Sequence, residues 1–255
     1  MGIHNHHISS KDRYILSKEH TSDSIESLED KVVRIQKEII YQDPYSISDI
    51  NDPSEELQLF AVKQNGLVIG DIYNPTNKVC YEAINQNAWA IQYIDNPSYE
   101  LCLHAVKKDG MTLSLMMDVQ TRDLCMEAVK QNGDAFLYVI NQTPRICEAA
   151  IKQNPNSIRF VKEQTEELCL LAIRKDPNVI KYIRNQNDCL CLEAVRIDGL
   201  SLCYVVDQTP EICIEAINQN GYALKYVSHR TFKMYIKSLT KTLNPIFLLI
   251  CLFNK

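Results

Sequence analysis

The sequence predicts an all-α fold: an α-solenoid of about ten two-helix repeats of 22 residues, with degenerate capping units at its ends. Three periodic columns carry that prediction. Alanines recur at Ala61, Ala83, Ala105, Ala128, Ala150, Ala172, Ala194 and Ala216, spaced by 22 residues with a single 23. Three residues before seven of them stand Cys80, Cys102, Cys125, Cys147, Cys169, Cys191 and Cys213, with Gln58 in the first unit. Four residues after each alanine comes Asn or Asp, followed by Gly, Pro or Ala.

Each unit opens seven residues before its alanine, at Ser54, Thr76, Ser98, Thr121, Thr143, Thr165, Asn187 and Thr209. All eight are residue types whose side-chain oxygen can cap a free N–H in the first helical turn. Pro144 and Pro210 follow two of them, at the first helical position, where a missing N–H costs nothing. An aliphatic residue, Cys, Ala and then Val or Ile fall at i, i+1, i+4 and i+5, an apolar face of helical period. This first helix is expected to run for about ten residues.

The Asn/Asp column, Asn65, Asn87, Asp109, Asn132, Asn154, Asp176, Asp198 and Asn220, is read as the N-cap of a second helix of about eight residues. Pro155 and Pro177 alternate with glycine at the next position, and proline holds φ near −65°. The position therefore does not call for the left-handed conformation that a helix-ending glycine signals. An apolar residue follows (Ile91, Leu113, Phe136, Ile158, Ile180, Leu202, Leu224), and two further on an aromatic: Tyr93, Tyr138, Phe160, Tyr182, Tyr204 and Tyr226. Gln-Thr or Asn-Pro then opens the next unit.

The same clock sets the domain boundaries. Residues 1–20 are expected to be a disordered tail, 21–53 an N-terminal capping repeat, 54–230 eight regular repeats, and 231–255 a C-terminal capping repeat with an apolar tail. In the N-terminal cap a longer helix opens near Ser24, with Ile25, Leu28, Val32, Ile35 and Ile39 as its apolar stripe. Ser238 takes the alanine position at the other end. The Ile246–Phe253 run is expected to cover the open end of the stack, with contact to a partner or a second copy, or to a membrane interface, as the alternatives.

Composition excludes several classes. Gly and Pro together number 16 of 255 residues, too few for a turn-rich barrel or sandwich. A net charge of −5 gives no electrostatic footprint for a nucleic-acid partner, and none is expected. The longest apolar run has eight residues against the roughly 20 that span a bilayer, so no transmembrane segment is expected. The N-terminus lacks the apolar core of a signal peptide, and ten cysteines in that context read as reduced thiols of an intracellular, cytoplasmic protein.

The stretch Thr209–Val227, TPEICIEAINQNGYALKYV, resembles a family of short two-helix repeats of unknown function, abundant in giant DNA viruses of amoebae. The likeness covers about residues 54–228 through an Ala-Val-x-x-Asn/Asp-Gly-x-x-Leu pattern. It implies a helical repeat fold and a host-cytoplasm or virion setting, and it brings no catalytic residues. The 28 isoleucines and 19 asparagines fit an AT-rich genome of that kind.

No catalytic, cofactor-binding or metal-binding set is expected. The Cys column reads as core, because one thiol per repeat cannot close a four-ligand cage, and His4, His6 and His7 lack an acid or thiol at ligand spacing. The Tyr column is expected to pack inside the solenoid, with a binding face as the alternative. One candidate interaction ridge stands out: Lys63, Lys107, Lys130, Lys152, Arg174 and Arg196, each two residues after its alanine. Its competing account is a cation in the last turn of each helix, complementing the dipole, with Glu127 and Glu193 as partners of Lys130 and Arg196. The expected function is a non-enzymatic protein–protein interaction scaffold for an unknown protein partner, and the alternative is a structural, self-assembling protein.

Overall fold

A computed structural model describes residues 28–242, which are all-α: regular helix–turn units about 22 residues apart pack sequentially into a solenoid-like helical repeat. The chain divides into two compact units, Met1–Gln86 and Asn87–Lys255. The first holds α1 (Leu28–Gln42), α2 (Glu55–Gln64) and α3 (Asn77–Gln86). The second holds α4 (Tyr99–Lys108), α5 (Arg122–Gln131), α6 (Pro144–Gln153), α7 (Glu166–Lys175), α8 (Asp188–Ile197), α9 (Pro210–Gln219) and α10 (Phe232–Thr242).

Helices α2 to α9 are ten residues long, and the N-cap column explains where they start. Ser54 accepts from Leu57 N, Thr121 from Leu124 N and Asn187 from Leu190 N, and the other five cap in the same way. The apolar face then buries itself. All eight column alanines are fully buried, and the absence of a larger side chain lets consecutive helices approach closely.

The second element differs from expectation. It is a six-residue 3-10 helix, as in Gly133–Tyr138 and Gly199–Tyr204, where an α-helix of about eight was expected. The Asn or Asp does cap it: Asn132 Oδ1 accepts from Asp134 N and Asp198 Oδ1 from Leu200 N. A 3-10 helix repeats every three residues, so one stripe takes every third position. Gly133, Phe136 and Val139 are buried in that stripe, as are Gly199, Leu202 and Val205. The aromatic lies one residue before the last stripe position, which turns it toward the edge.

The Gly/Pro alternation has its own logic. Every capping Asn or Asp is extended and, among the described residues, no glycine has a positive φ, so turn geometry does not select glycine. Close approach does. A Cβ at Gly66 would lie 2.3 Å from Ala83 O, and one at Gly199 would lie 2.3 Å from Ala216 O. The freed N–H is then clamped by the last residue of the next helix: Gly66 to Gln86, Gly110 to Gln131, Gly133 to Gln153 and Gly199 to Gln219, all at 2.6–2.7 Å. Pro155 and Pro177 have no N–H to donate, and the helices that follow them end in Lys175 and Ile197.

In the N-terminal cap α1 extends to fifteen residues, and Asp43 N bonds Ile39 O just as Asn65 N bonds Ala61 O. The register is as expected, but the stripe is not buried. Leu28, Val32, Ile35 and Ile39 are exposed, because α1 lays Ile40 against the core instead. At the other end Ser238 is buried and donates to Gly221 O at 2.8 Å. The expected tail 1–20, the helix start at Ser24 and the Ile246–Phe253 run lie outside the described residues.

Candidate interaction surfaces

All six ridge cations lie on exposed positions of the helices. Four of them hold glutamates: Lys130 with Glu127 at 3.0 Å, Lys152 with Glu148 at 2.5 Å, Arg174 with Glu193 at 2.8 Å and Arg196 with Glu215 at 3.3 Å. Glu193 therefore pairs with Arg174 of the preceding repeat, and not with Arg196 of its own helix. The i,i+3 rule holds for Lys130 and yields to a neighbour 19 residues away for Arg174. Lys63 and Lys107 have no ion pair among the described residues.

The seven column cysteines are buried. Burial pushes each thiol up from its ordinary value, Cys169 and Cys191 to about 11. A thiol held neutral is a poor nucleophile and a poor ligand. Several are hydrogen-bonded in place: Cys125 Sγ donates to Gln120 Oε1 at 3.5 Å and Cys213 to Gln208 Oε1 at 3.8 Å, whereas Cys80 reaches Pro75 O. Cys189 and Cys203 are exposed. Among the described residues no group of three or more His, Cys, Asp or Glu could hold a metal ion. The residues His4, His6 and His7 lie outside the described part of the chain.

The aromatic column does not pack inside. Tyr93 is 49% and Tyr204 38% exposed, and Tyr138, Phe160, Tyr182 and Tyr226 are half-buried. The 3-10 stripe of every third residue is the reason, since it leaves the aromatic position on the edge of the unit. Cations not singled out by the repeat pattern join these rings. Arg159 sits 4.4 Å from the Phe160 centroid and 5.9 Å from that of Tyr182. Lys181 bridges Tyr182 and Tyr204 at 4.9 and 5.2 Å, and Lys225 lies 5.0 Å from Tyr226. The sequence signal was available: each cation directly precedes an aromatic of the column.

A groove of about 840 Å³ opens between α6 and α7. Its apolar lining is Ile140, Pro144, Cys147, Val161, Leu168 and Leu171, with Glu148, Lys162, Glu163, Glu167 and Arg174 supplying charge around it. Leu168 is half-buried, whereas Ile146, Leu190 and Ile212 at the same repeat position are buried. The groove lies at a junction where Pro155 cannot make the glycine–glutamine clamp.

The sequence pattern of a domain of unknown function (DUF4116) matches residues 121–166 and 187–232. Each match starts on an N-cap, Thr121 or Asn187, and runs just beyond two repeats. No curated protein and no solved structure matches the chain. Among the described residues no helix is long and apolar enough to cross a membrane.

Proposed function

We propose that this protein is a non-enzymatic scaffold for protein–protein interaction. The observation that carries this reading is the division of labour within each repeat. The recurring polar and thiol columns serve structure: Thr and Asn in helix caps, Asn and Asp in 3-10 caps, the column Cys in the core as neutral thiols. The positions left outward, the helix-end cations and the aromatic edge, each recur in six of the eight regular units and offer an extended, repetitive contact surface. The ridge of Lys63, Lys107, Lys130, Lys152, Arg174 and Arg196 is one such surface, its positive charge reduced by the four glutamates. The sequence resemblance extends the proposal to a viral protein acting in the host cytoplasm or the virion. Affinity capture from infected or native host extract tests the reading. A partner retained through washing and recovered in the reciprocal capture supports it. Turnover of a substrate by the purified chain overturns it, and so does a concentration-dependent homo-oligomer with no other partner, which instead favours a self-assembling structural protein.

A further inference from the structure

We infer that the 3-10 edge of residues 155–230 is a docking strip for an acidic, extended polypeptide segment, and this inference rests on the scaffold reading above. Charge along the 3-10 segments is strongly uneven. Segments 66–75, 88–97, 110–120 and 133–142 carry Asp71, Asp95, Asp118 and Asp134 and no lysine or arginine. Segments 155–164, 177–186 and 221–230 carry Arg159, Lys162, Lys181, Arg184, Lys225 and Arg230 against Glu163, and 199–208 between them carries Asp207 and no lysine or arginine. A chain of net charge −5 thus concentrates cations on one stretch of one edge.

These cations differ from the helix-end ridge in what holds them. Lys162, Lys181, Arg184 and Lys225 make no ion pair among the described residues. Lys181 and Lys225 lie over rings, Lys162 donates to Ile140 O, and Arg184 donates to Val161 O and Lys162 O. Arg159 has Asp134 at 3.8 Å, at the boundary with the acidic segments. Rings and carbonyls position these cations without neutralising them, so an arriving carboxylate meets charges whose side-chain freedom is already restricted. A cation already lies near each of the Phe160, Tyr182 and Tyr204 rings and competes with base stacking on that face, which favours carboxylates over a single-stranded nucleic acid.

Fluorescence anisotropy with a labelled oligoglutamate peptide and the full chain tests the strip. The expected result is saturable binding that weakens by about tenfold or more on raising ionic strength from low to physiological. It should also weaken by about tenfold in Arg159→Glu/Lys181→Glu and be retained in Arg159→Lys/Lys181→Arg. Lys108→Glu/Arg122→Glu makes the same charge change on exposed positions of α4 and α5, outside the strip, and should stay within about twofold of the native chain. Circular dichroism and Trp89 emission verify that each variant is folded. Equal binding by the charge-reversed strip variant overturns the inference, as does tighter binding of oligothymidylate than of oligoglutamate. A homodimer that the strip variant abolishes also overturns it, because the occupant is then a second copy. Capture of the same extract partner by native chain and strip variant alike overturns the strip while leaving the scaffold reading in place. Failure of both to capture any partner overturns the scaffold reading itself.

Discussion

The loops that enter α2, α3 and α4 and those that enter α5 to α9 solve the same problem with different chemistry. In the first group Asp52, Asn74 and Asn96 adopt φ of 45–47°, each followed by a proline that stiffens the turn. Asn and Asp tolerate this left-handed conformation best among residues with a side chain. In the second group a glutamine replaces that turn. Gln120, Gln142, Gln164, Gln186 and Gln208 each donate to a carbonyl of the next repeat: Tyr138, Phe160, Tyr182, Tyr204 and Tyr226. Their Oε1 atoms accept from Ile140, Lys162, Arg184, Val206 and Ser228 N. The first design sets its turn locally, through backbone conformation. The second links each repeat to its successor through an amide that spans about 20 residues of sequence. Repeat stability is a sum of unit and interface terms, and the glutamines add to the interface term only from Gln120 onward.

The largest effect that would break this comparison is loss of one glutamine. Gln164→Leu leaves Tyr182 O and Arg184 N without their glutamine partner and Ile158 O with Val161 N alone. A cost of about 3 kcal/mol is expected, read as a lowered urea midpoint. Hydrogen exchange should show faster opening at Arg184 N in the same variant. A loss no larger than that from Asn74→Ala would mean that the glutamines add nothing beyond a local turn.

The clamp is next in size. Gly199→Ala places a methyl against Ala216 O and Gln219 Oε1 and should cost about 2 kcal/mol through overpacking. Alanine occurs naturally at the equivalent Ala88, where the following helix ends in Lys108 and no such clamp is made. Gln219→Lys in the Gly199→Ala background should therefore recover part of the loss. No recovery would show that the carbonyl contact alone sets the cost.

A smaller effect probes the other group of loops. Asn74→Ala forces a Cβ residue without a polar side chain into φ 47° and should cost about 1 kcal/mol. Asn74→Gly should be neutral within a few tenths of a kcal/mol, since glycine accepts that conformation freely. Equal losses in both variants would show that the Asn side chain, and not its φ, is what matters.

Much of this was legible in the sequence, and the parts that were not share a cause. The ten-residue helices, their caps and the Asn/Asp caps of the second element followed from single columns with local chemistry. The length of the second element did not, because its N-cap column marks where it starts and no local signal separates a 3-10 from an α-helical period over so short a segment. The stripe of three, Gly133, Phe136 and Val139, is what the chain buries. Gln164 read as punctuation between repeats, since its partners at Tyr182 and Arg184 are remote in sequence. Glu193 was assigned to its own helix for the same reason. A column shows which residues recur, and only the packing shows which repeat each one serves.

The smallest effect concerns pH and the cysteine column, which follows the same regional divide. Cys102 faces the Pro97 carbonyl, whereas Cys191 faces the amide oxygen of Gln186. Burial raises the folded pKa of Cys169 and Cys191 to about 11, whereas an unfolded thiol titrates near 8.5. Between those values the unfolded chain has released protons that the folded chain still holds, so stability falls as pH rises. The contribution is complete below about pH 8.5 and is lost progressively toward about pH 11. Urea midpoints measured from neutral pH to pH 10.5 should be level at first and then decline. Tyrosines ionise in the same range, so the informative quantity is the difference between chains. Cys169→Ala/Cys191→Ala should start lower at neutral pH, because each substitution removes a buried sulfur, yet decline less steeply above pH 9. Parallel declines in the two chains would mean that neither thiol stays protonated because of the fold.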